Sequence, residues 1–325
     1  MHAIRLHEFG PAGNLRYEET PAPEPAAGQV RVAVEASGVH LIDTTLRAGR
    51  GGGPLPLPPL PSIPGREVAG VVDLVGSGVD AAWLGRRVVA HLGPAGGGYA
   101  RLAVVAASSV HVVPDSVSFD AAVAMIGTGR TTVGVLDAAD LGAGDVVLVT
   151  AAAGGVGSLL VQAGRAAGAV VVGVAGGPEK VARVRALGAQ HAHDYTAPGW
   201  PERVRAALGD RELTVVLDGV GGSLGRAAMD LLGVRGRLVM FGWSSGELLA
   251  FTSTDLVERA LTATWPISRH QLGRPGFLRG LETRALAEAA AGRLIPSVQR
   301  FPLEHAAEAH AALESRRTTG KVVLV

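Results

Sequence analysis

The segment from Val146 to Gly157 constrains the fold of this chain more than any other. Val146-Val-Leu-Val-Thr150 is a short apolar run of the kind that forms a strand buried on both faces. Ala151-Ala152-Ala153-Gly154-Gly155-Val156-Gly157 follows, and then an apolar stretch from Ser158 to Ala167 with helical character. Strand, glycine turn and helix in that order make a phosphate-binding βα unit: the glycines let the backbone approach a pyrophosphate, and the amides at the helix start attract the anion. The first glycine of the usual G-x-G-x-x-G is replaced, so the pattern reads A-x-x-G-x-x-G, and its strand and helix context carries the assignment. Val146 to Gly164 is apolar enough to suggest a membrane span, but its glycine-rich centre and the following Arg165 favour strand, loop and helix.

A βα unit of this type belongs to a larger alternation. Strands are expected at Val170 to Ala175, Thr214 to Asp218, Arg237 to Phe241 and Leu261 to Trp265, with helices at Glu179 to Leu187 and Leu224 to Leu232 between them. That order specifies a doubly wound parallel sheet with helices on both faces. The first third has a different texture: Gln29 to Ala36, Glu67 to Val75, Arg86 to His91 and Tyr99 to Val105 are short apolar runs bounded by turn residues, as in a β-rich domain. Arg50 to Pro64 is dominated by Gly and Pro and reads as a surface loop, with a lid over a cleft as the alternative. Beyond Trp265, a helix near Leu281 to Ala291, a strand near Ser297 to Phe301, a helix from Glu304 to Ser315 and a last strand Lys321 to Val325 complete the chain.

Composition narrows the chemistry. With 47% hydrophobic and 18% charged residues in 325, the chain buries a substantial core without staples. It has no cysteine, which removes disulfides and every cysteine-containing metal site and leaves redox chemistry to a bound cofactor. A net charge of +1 gives no field for a polyanion, so neither nucleic acid nor a membrane surface is an expected partner. Residues Met1 to Gly10 lack the continuous apolar segment of a signal peptide, and a cytoplasmic location is expected. Basic residues are nearly all arginine: Lys180 and Lys321 are the only lysines, and each therefore merits attention.

Lys180 sits at a revealing place. A site for the unphosphorylated dinucleotide normally has an acidic residue at the end of the second strand, to hold the ribose 2′-hydroxyl. Here Ala175-Gly176-Gly177 occupies that position, and Pro178-Glu179-Lys180 begins a helix. A lysine in a first turn opposes the helix dipole, and an anion bound nearby explains it better than helix stability does. The 2′-phosphate of NADPH is such an anion; the bland alternative is a solvated lysine.

Several motifs now converge. The 151–158 turn, Pro178-Glu-Lys180, His193-Asp-Tyr195, Phe241-Gly242-Trp243-Ser-Ser-Gly246 and the run from Leu313 to Lys321 resemble the quinone oxidoreductase (zeta-crystallin-like) branch of the zinc-independent medium-chain dehydrogenase/reductase superfamily. Gly38-Val-His-Leu-Ile-Asp43 and Pro64-Gly-Arg-Glu67 fall where that family has substrate-cleft motifs. The resemblance implies an α/β fold in which a Rossmann domain, residues 124–267, is inserted in a GroES-like β-rich catalytic domain formed by 1–123 and 268–325. It also implies an NADPH-dependent enzyme that transfers a hydride to a small-molecule quinone or similar conjugated carbonyl. By position, Ala153, Gly154, Gly155, Val156 and Gly157 would bind the pyrophosphate, and Lys180 and Tyr195 the 2′-phosphate. The backbone of Phe241, Gly242 and Trp243 would lie by the nicotinamide, and Arg316 would approach the cofactor phosphates. A homodimer through the Rossmann domains is implied as well, and the terminal strand at Leu261 to Pro266 is a suitable edge for it.

The catalytic cleft departs from the family pattern. Zinc-dependent relatives place a cysteine near position 40 and a histidine before the glutamate, where this chain has His40 and Arg66; no metal is expected, because one histidine cannot replace a site of three protein ligands. His40 stands where asparagine is typical, Thr45 where tyrosine is common, and Arg130 near a usual threonine, while Asp43 is retained. His40 is a proton donor or a hydrogen-bonded wall residue. Asp43 is expected to fix backbone or water, and Arg130 either stabilises substrate charge or pairs structurally. Two other functions stay open: reduction of the double bond of an enone or enoyl thioester, and a non-catalytic NADPH-binding or sensor role.

Overall fold

The computed structural model describes residues 1–50 and 56–325. Chain contacts divide it into two compact units, Met1–Gly129 with Glu282–Val325, and Arg130–Leu281. These junctions fall later than the 123/124 and 267/268 boundaries read from texture. Helical residues run from Phe119 through Met125–Gly129 to Ala139, and the Phe277–Ala290 helix spans the second junction, so neither is marked by a loop.

The second unit is a six-stranded parallel sheet. Its strands lie in the order His191–Asp194, Val170–Ala175, Val146–Val149, Leu213–Asp218, Leu232–Met240 and Thr262–Thr264. Numbered within the unit this is 3-2-1-4-5-6, the doubly wound order whose switch point lies between the first and fourth strands. The inner strands are apolar on both faces because each face carries a core. One core packs Val147, Val149, Val171 and Val215 under Leu160 and Val184, and the other packs Leu148, Val172, Val174 and Val216 under Trp200 and Val204. The helix after the glycine turn starts at Gly155, earlier than Ser158, so that Gly155, Val156 and Gly157 form its first turn. His191–Asp194 escaped the sequence reading: only Ala192 of its four residues is buried, too little for an apolar signal. At the other edge, Thr262–Thr264 is shorter than the run read from Leu261 to Trp265.

The first unit is built on an antiparallel sheet centred on the Gln29–Val39 strand, which pairs with Glu67–Val75, Leu102–Ala106 and Lys321–Leu324. Tyr99, read as the start of a strand, precedes Leu102–Ala106 and is fully buried in the core beside Ile4, Leu6 and Val322. Of the Arg50 to Pro64 loop, residues 51–55 lie outside the described residues; 56–64 contain no helix or strand, and Ser62 makes a single bridge to Leu6.

Register in this sheet decides what meets at its end. Val322 lies opposite Val39 and Val68 opposite Ser37; one further residue along each ladder puts Lys321 against His40 and Glu67 against Gly38. Residues directly opposite share a face, as do residues two apart, so His40, Glu67 and Lys321 are delivered to one face of the sheet. In the second unit, Leu148 is fully buried at the centre of the parallel sheet. Leu148→Ala is expected to cost about 2–5 kcal/mol of stability. This would appear as a lower urea midpoint at unchanged slope; an unchanged midpoint would remove Leu148 from the load of the core.

Candidate functional site

The glycine turn of the second unit lies at the carboxyl ends of the central strands. Gly154 is the N-cap of the Gly155–Ala166 helix, and no side chain of its own caps the first-turn amides. Ala151 adopts a positive φ of 46°, and Gly154 N–H donates to its carbonyl at 2.8 Å, which folds Ala151–Gly154 into a tight turn. A Cβ on Gly157 would collide with the Ala151 carbonyl, so only glycine lets the helix start this close to the strand. This leaves Ala153, Gly154, Gly155, Val156 and Gly157 as a shallow backbone cradle suited to a pyrophosphate.

Across the crevice, Asp218 ties the fourth strand to the first. Its Oδ1 accepts from Thr150 Oγ1 at 2.8 Å and Val220 N–H at 3.0 Å, and its Oδ2 from Gly221 N–H at 3.0 Å. Complete burial pushes its carboxyl above the usual range against these three donors. Phe241 N–H donates to the Asp218 carbonyl at 2.8 Å, and Ser244 N–H to the Gly219 carbonyl at 3.1 Å, which lays Phe241, Gly242 and Trp243 along the same edge. The Trp243 ring meets Trp265 at 5.7 Å.

At the end of the second strand, a Cβ on Gly176 would stand 3.1 Å from the Tyr195 hydroxyl. Tyr195 thus closes over the turn that leads, through Gly177 with φ 87°, into the Pro178–Ala186 helix carrying Lys180 as its third residue. Asp194, the acid at this turn, is already engaged: its Oδ1 accepts from Gly177 N–H at 3.0 Å, Thr196 N–H at 2.8 Å and Thr196 Oγ1 at 2.6 Å. Those donors hold its carboxyl below the usual range. Arg130 opens the Arg130–Ala139 helix of this unit and is half-buried. Arg316 belongs to the first unit, where it is exposed after the Ala306–Glu314 helix with φ 57°.

In the first unit, His40 is the N-cap of the Leu41–Arg47 helix, which also carries Asp43 and the half-buried Thr45. His40 Nε2 lies 2.6 Å from Glu67 Oε1 and 2.7 Å from Lys321 Nζ, and Lys321 Nζ lies 2.8 Å from Glu67 Oε2. The Lys321 contact to Glu67 is a close ion pair and the His40 contact a short polar one, and neither is a well-aligned hydrogen bond. Glu67 is fully buried and Lys321 nearly so, while the His40 side chain keeps 24% of its surface exposed. Space for the carboxylate comes from two glycines: a Cβ on Gly38 would collide with Oε2, and one on Gly127 with Oε1. Gly127 lies in the π-helical turn Met125–Gly129, a distortion frequent at functional sites.

Charge explains this cluster. Burial would drive the Glu67 carboxyl up, but His40 and Lys321 overcome it and hold it well below the usual range. Burial lowers both His40 and Lys321, against the pull of Glu67 on each. Behind the cluster, Asp43 Oδ2 accepts from His40 N–H at 2.8 Å and from the Tyr99 hydroxyl at 3.3 Å, and Oδ1 from Arg66 Nε at 3.2 Å. Tyr99 also meets His310 Nε2 at 3.1 Å; burial lowers His310 to about 4 and pushes the Tyr99 phenol well up. A cavity of about 340 Å³ lies in this unit, walled by Pro56, Pro59, Leu46 and Ile63 with Asp43, Arg47 and Arg66 as charged lining.

The structure thus gathers His40, Asp43 and Thr45 on one helix, and puts Arg130 in the other unit. It adds Glu67, Lys321, Tyr99 and His310, none of which carried a role in the sequence reading. Glu67 and Lys321 each closed a family-like motif in the sequence, and the rarity of lysine also drew attention to Lys321.

Zinc does not fit this cluster. His40 Nε2 and Glu67 Oε1 already touch at 2.6 Å, and the Lys321 ammonium lies against both residues, so a cation placed there would meet a positive charge. Among the described residues, no group of three or more His, Cys, Asp or Glu side chains converges as a metal site would require.

Comparison with known proteins follows the same outline. The family described as "Alcohol dehydrogenase GroES-like domain" matches residues 26–115, and that described as "Zinc-binding dehydrogenase" matches residues 155–271. A quinone oxidoreductase of Pseudomonas aeruginosa is 34% identical, over 99% of this chain and 98% of its own length. A 2-haloacrylate reductase of a Burkholderia species is 32% identical over 99% of this chain and 98% of its own. The crystal structure of Escherichia coli quinone oxidoreductase complexed with NADPH superposes with a TM-score of 0.87 at 30% identity, covering 100% of both chains. With the inserted parallel sheet, the GroES-like β-domain and this agreement along its whole length, the chain belongs to the quinone oxidoreductase family of the medium-chain dehydrogenase/reductase superfamily.

Proposed function

We propose that this chain is an NADPH-dependent, zinc-independent oxidoreductase that reduces a quinone or similar conjugated carbonyl. The turn after the second strand of the parallel sheet carries this reading. The acid that selects a free ribose 2′-hydroxyl is missing from Ala175–Gly177, Asp194 is consumed by backbone and Thr196 donors, and Tyr195 and Lys180 stand at the same turn. The E. coli relative crystallised with NADPH supports the cofactor, and the relatives named for quinones support the acceptor.

Bound NADPH supplies the hydride. The chain's part is to hold the pyrophosphate on the Gly154–Gly157 backbone and the 2′-phosphate on Lys180 and Tyr195. Phe241 to Trp243 line the nicotinamide, and His40 supplies the proton that the reduced acceptor takes up. Asp43 orients His40 by accepting its amide. The proline-walled cavity suits an apolar, carbonyl-bearing acceptor, with Arg66 as the polar partner. The 2-haloacrylate reductase relative favours double-bond reduction as the second reading, and the same groups would serve it. NADPH oxidation with a panel of quinones and enones distinguishes the two acceptors and excludes both if no acceptor is reduced.

Lys180→Ala is expected to weaken NADPH binding roughly tenfold to a hundredfold, about 1.5–3 kcal/mol, with little change for NADH. Equal losses in calorimetric titrations of both cofactors would remove Lys180 from the 2′-phosphate. Activity is expected to survive chelation, with no stoichiometric metal on elemental analysis; zinc whose removal abolishes turnover would overturn the zinc-independent reading. We further propose a homodimer joined by the Thr262–Thr264 edge, which ends two residues before Pro266 and leaves one row of ladder groups open to a partner strand. Sedimentation at micromolar concentration is expected to give a dimer, and a monomer unchanged by NADPH would refute it.

A further inference from the structure

The proline walls of the cavity in the first unit offer no backbone N–H, so a ligand there must find its hydrogen-bond donors on a few side chains. Three of the lining residues hold donors that the fold does not use. Arg66 spends only Nε on the protein, donating to Asp43 Oδ1 at 3.2 Å, and among the described residues neither Nη group has a hydrogen-bond partner. Arg47, 3% exposed, turns its Nη groups to Glu314 and the Thr44 carbonyl and leaves Nε buried without a partner. Ser62 Oγ is buried and unpartnered as well. Such groups are rare in folded proteins, and two of them on one cavity call for an explanation.

The sign of the charge narrows what fits. Asp43 is the one acid on the walls, and it already accepts from the His40 amide, the Tyr99 hydroxyl and Arg66 Nε. Glu314, the partner of Arg47, lies outside the lining. Two guanidinium groups thus face the cavity with one carboxylate between them, and what stays open is donors. We infer that the cavity recognises a carboxylate, so that the acceptor reduced by this chain is a conjugated carbonyl compound bearing a carboxylate group. This rests on the reading of the cavity as the acceptor site proposed above. The Nη groups of Arg66 form an end-on fork for the two carboxylate oxygens, and Ser62 Oγ and Arg47 Nε donate to the lone pairs that remain. Arg66 and Ser62 are then specificity-determining residues, and the proline walls take the apolar part of the molecule.

The backbone holds these donors in place before any ligand arrives. Ser62 N–H donates to the Leu6 carbonyl at 3.0 Å and Leu6 N–H to the Ser62 carbonyl at 2.8 Å, and both residues line the cavity. Asp43 and Arg47 stand one turn apart on the Leu41–Arg47 helix and so share a face, and Asp43 ties Arg66 to that face. Gly65, with φ 89°, lies so close to the Tyr99 ring that a Cβ would collide with it, which fixes the chain just before Arg66. Fixed donors lower the ordering cost of binding. A neutral quinone oxygen or an ester would leave the fork of Arg66 partly unfilled, and the loss discriminates against it. A volume of about 340 Å³ suits a small molecule, at the lower end of the roughly 300–1,000 Å³ common for such sites.

The test compares 3-benzoylacrylate with its methyl ester, two enones that share a conjugated frame and differ in the charge. The chain has no cysteine to add to either. Calorimetric titration at neutral pH, with NADP⁺ in excess so that no hydride is available, is expected to show the acid binding about tenfold to a hundredfold more tightly than the ester. Arg66→Gln, which can still donate to Asp43, should bring that ratio close to one. Ser62→Ala removes a hydroxyl with no partner in the fold, so its melting profile should match the wild type while its affinity for the acid falls about tenfold. This second variant decides the matter if Arg66→Gln does not fold. Equal binding of acid and ester by the wild type, or a preference for the acid that the folded variants leave intact, overturns the inference. With NADPH, the ratio of kcat/KM for acid over ester should follow the binding ratio. If both compounds and a simple quinone are reduced but bind alike, the enzymatic reading stands and the carboxylate site falls. If the acid binds through Arg66 and Ser62 yet no acceptor is reduced, the site stands and the enzymatic reading falls.

Discussion

A carboxylate with no access to water dictates much of the first unit. Glu67 begins the Glu67–Val75 strand, and an isolated ion at that depth would cost several kcal/mol or would take up a proton. Its charge is kept because an imidazole and an ammonium reach it from different parts of the chain: His40 at the end of the central strand and Lys321 at the start of the last one. Pairing requires that Lys321–Leu324 enter the sheet beside Gln29–Val39 in one register; a slip of one residue would turn the ammonium to the other face and leave the carboxylate alone. The same demand accounts for Gly38 and Gly127 and for the widened helical turn Met125–Gly129. A charge thus specifies geometry here more than it adds stability.

The second unit is organised by a milder version of the same problem. Parallel strands buried on both faces end in backbone groups that need partners. Asp218 and Thr150 supply them at the switch point, where the crevice must stay open yet rigid. Side chains are then unnecessary on the opposite lip, and Gly155 to Gly157 present first-turn amides with no side-chain cap. Rigidity on one side and bare backbone on the other suit a ligand recognised by its phosphates and not by its bulk.

The sequence declared these two halves unequally. The glycine turn, the missing acid after Ala175 and the placement of Lys180 are local patterns, spelled within a few consecutive residues, so strand, turn and helix were legible together with the anion they favour. His40 and Asp43 were visible because they fall within one short motif. Glu67 and Lys321 lie far apart along the chain, and only strand register joins them to His40; register is set by long-range pairing that a linear reading does not contain. Tyr99 was read as a strand residue because it opens a short apolar run bounded by turn residues, whereas it is a core residue whose hydroxyl serves Asp43. The edge strand His191–Asp194 was hidden by its polar composition, since an edge needs only one buried side chain to hold its place.

The position of the last strand bears on the order in which this protein can be assembled. As the chain emerges during synthesis, Arg130–Leu281 is available in full before Lys321–Leu324 exists, so the nested unit can form its sheet from contiguous sequence. The outer unit must wait: the strand that neutralises Glu67 is interior to its sheet, between Val298–Phe301 and Gln29–Val39, and it is supplied late. Until then the outer β-sheet has an open edge and an acid that lacks its ammonium partner. A nascent chain stalled short of Lys321 would therefore leave the Gln29–Val39 strand without this neighbour and Glu67 without its ammonium.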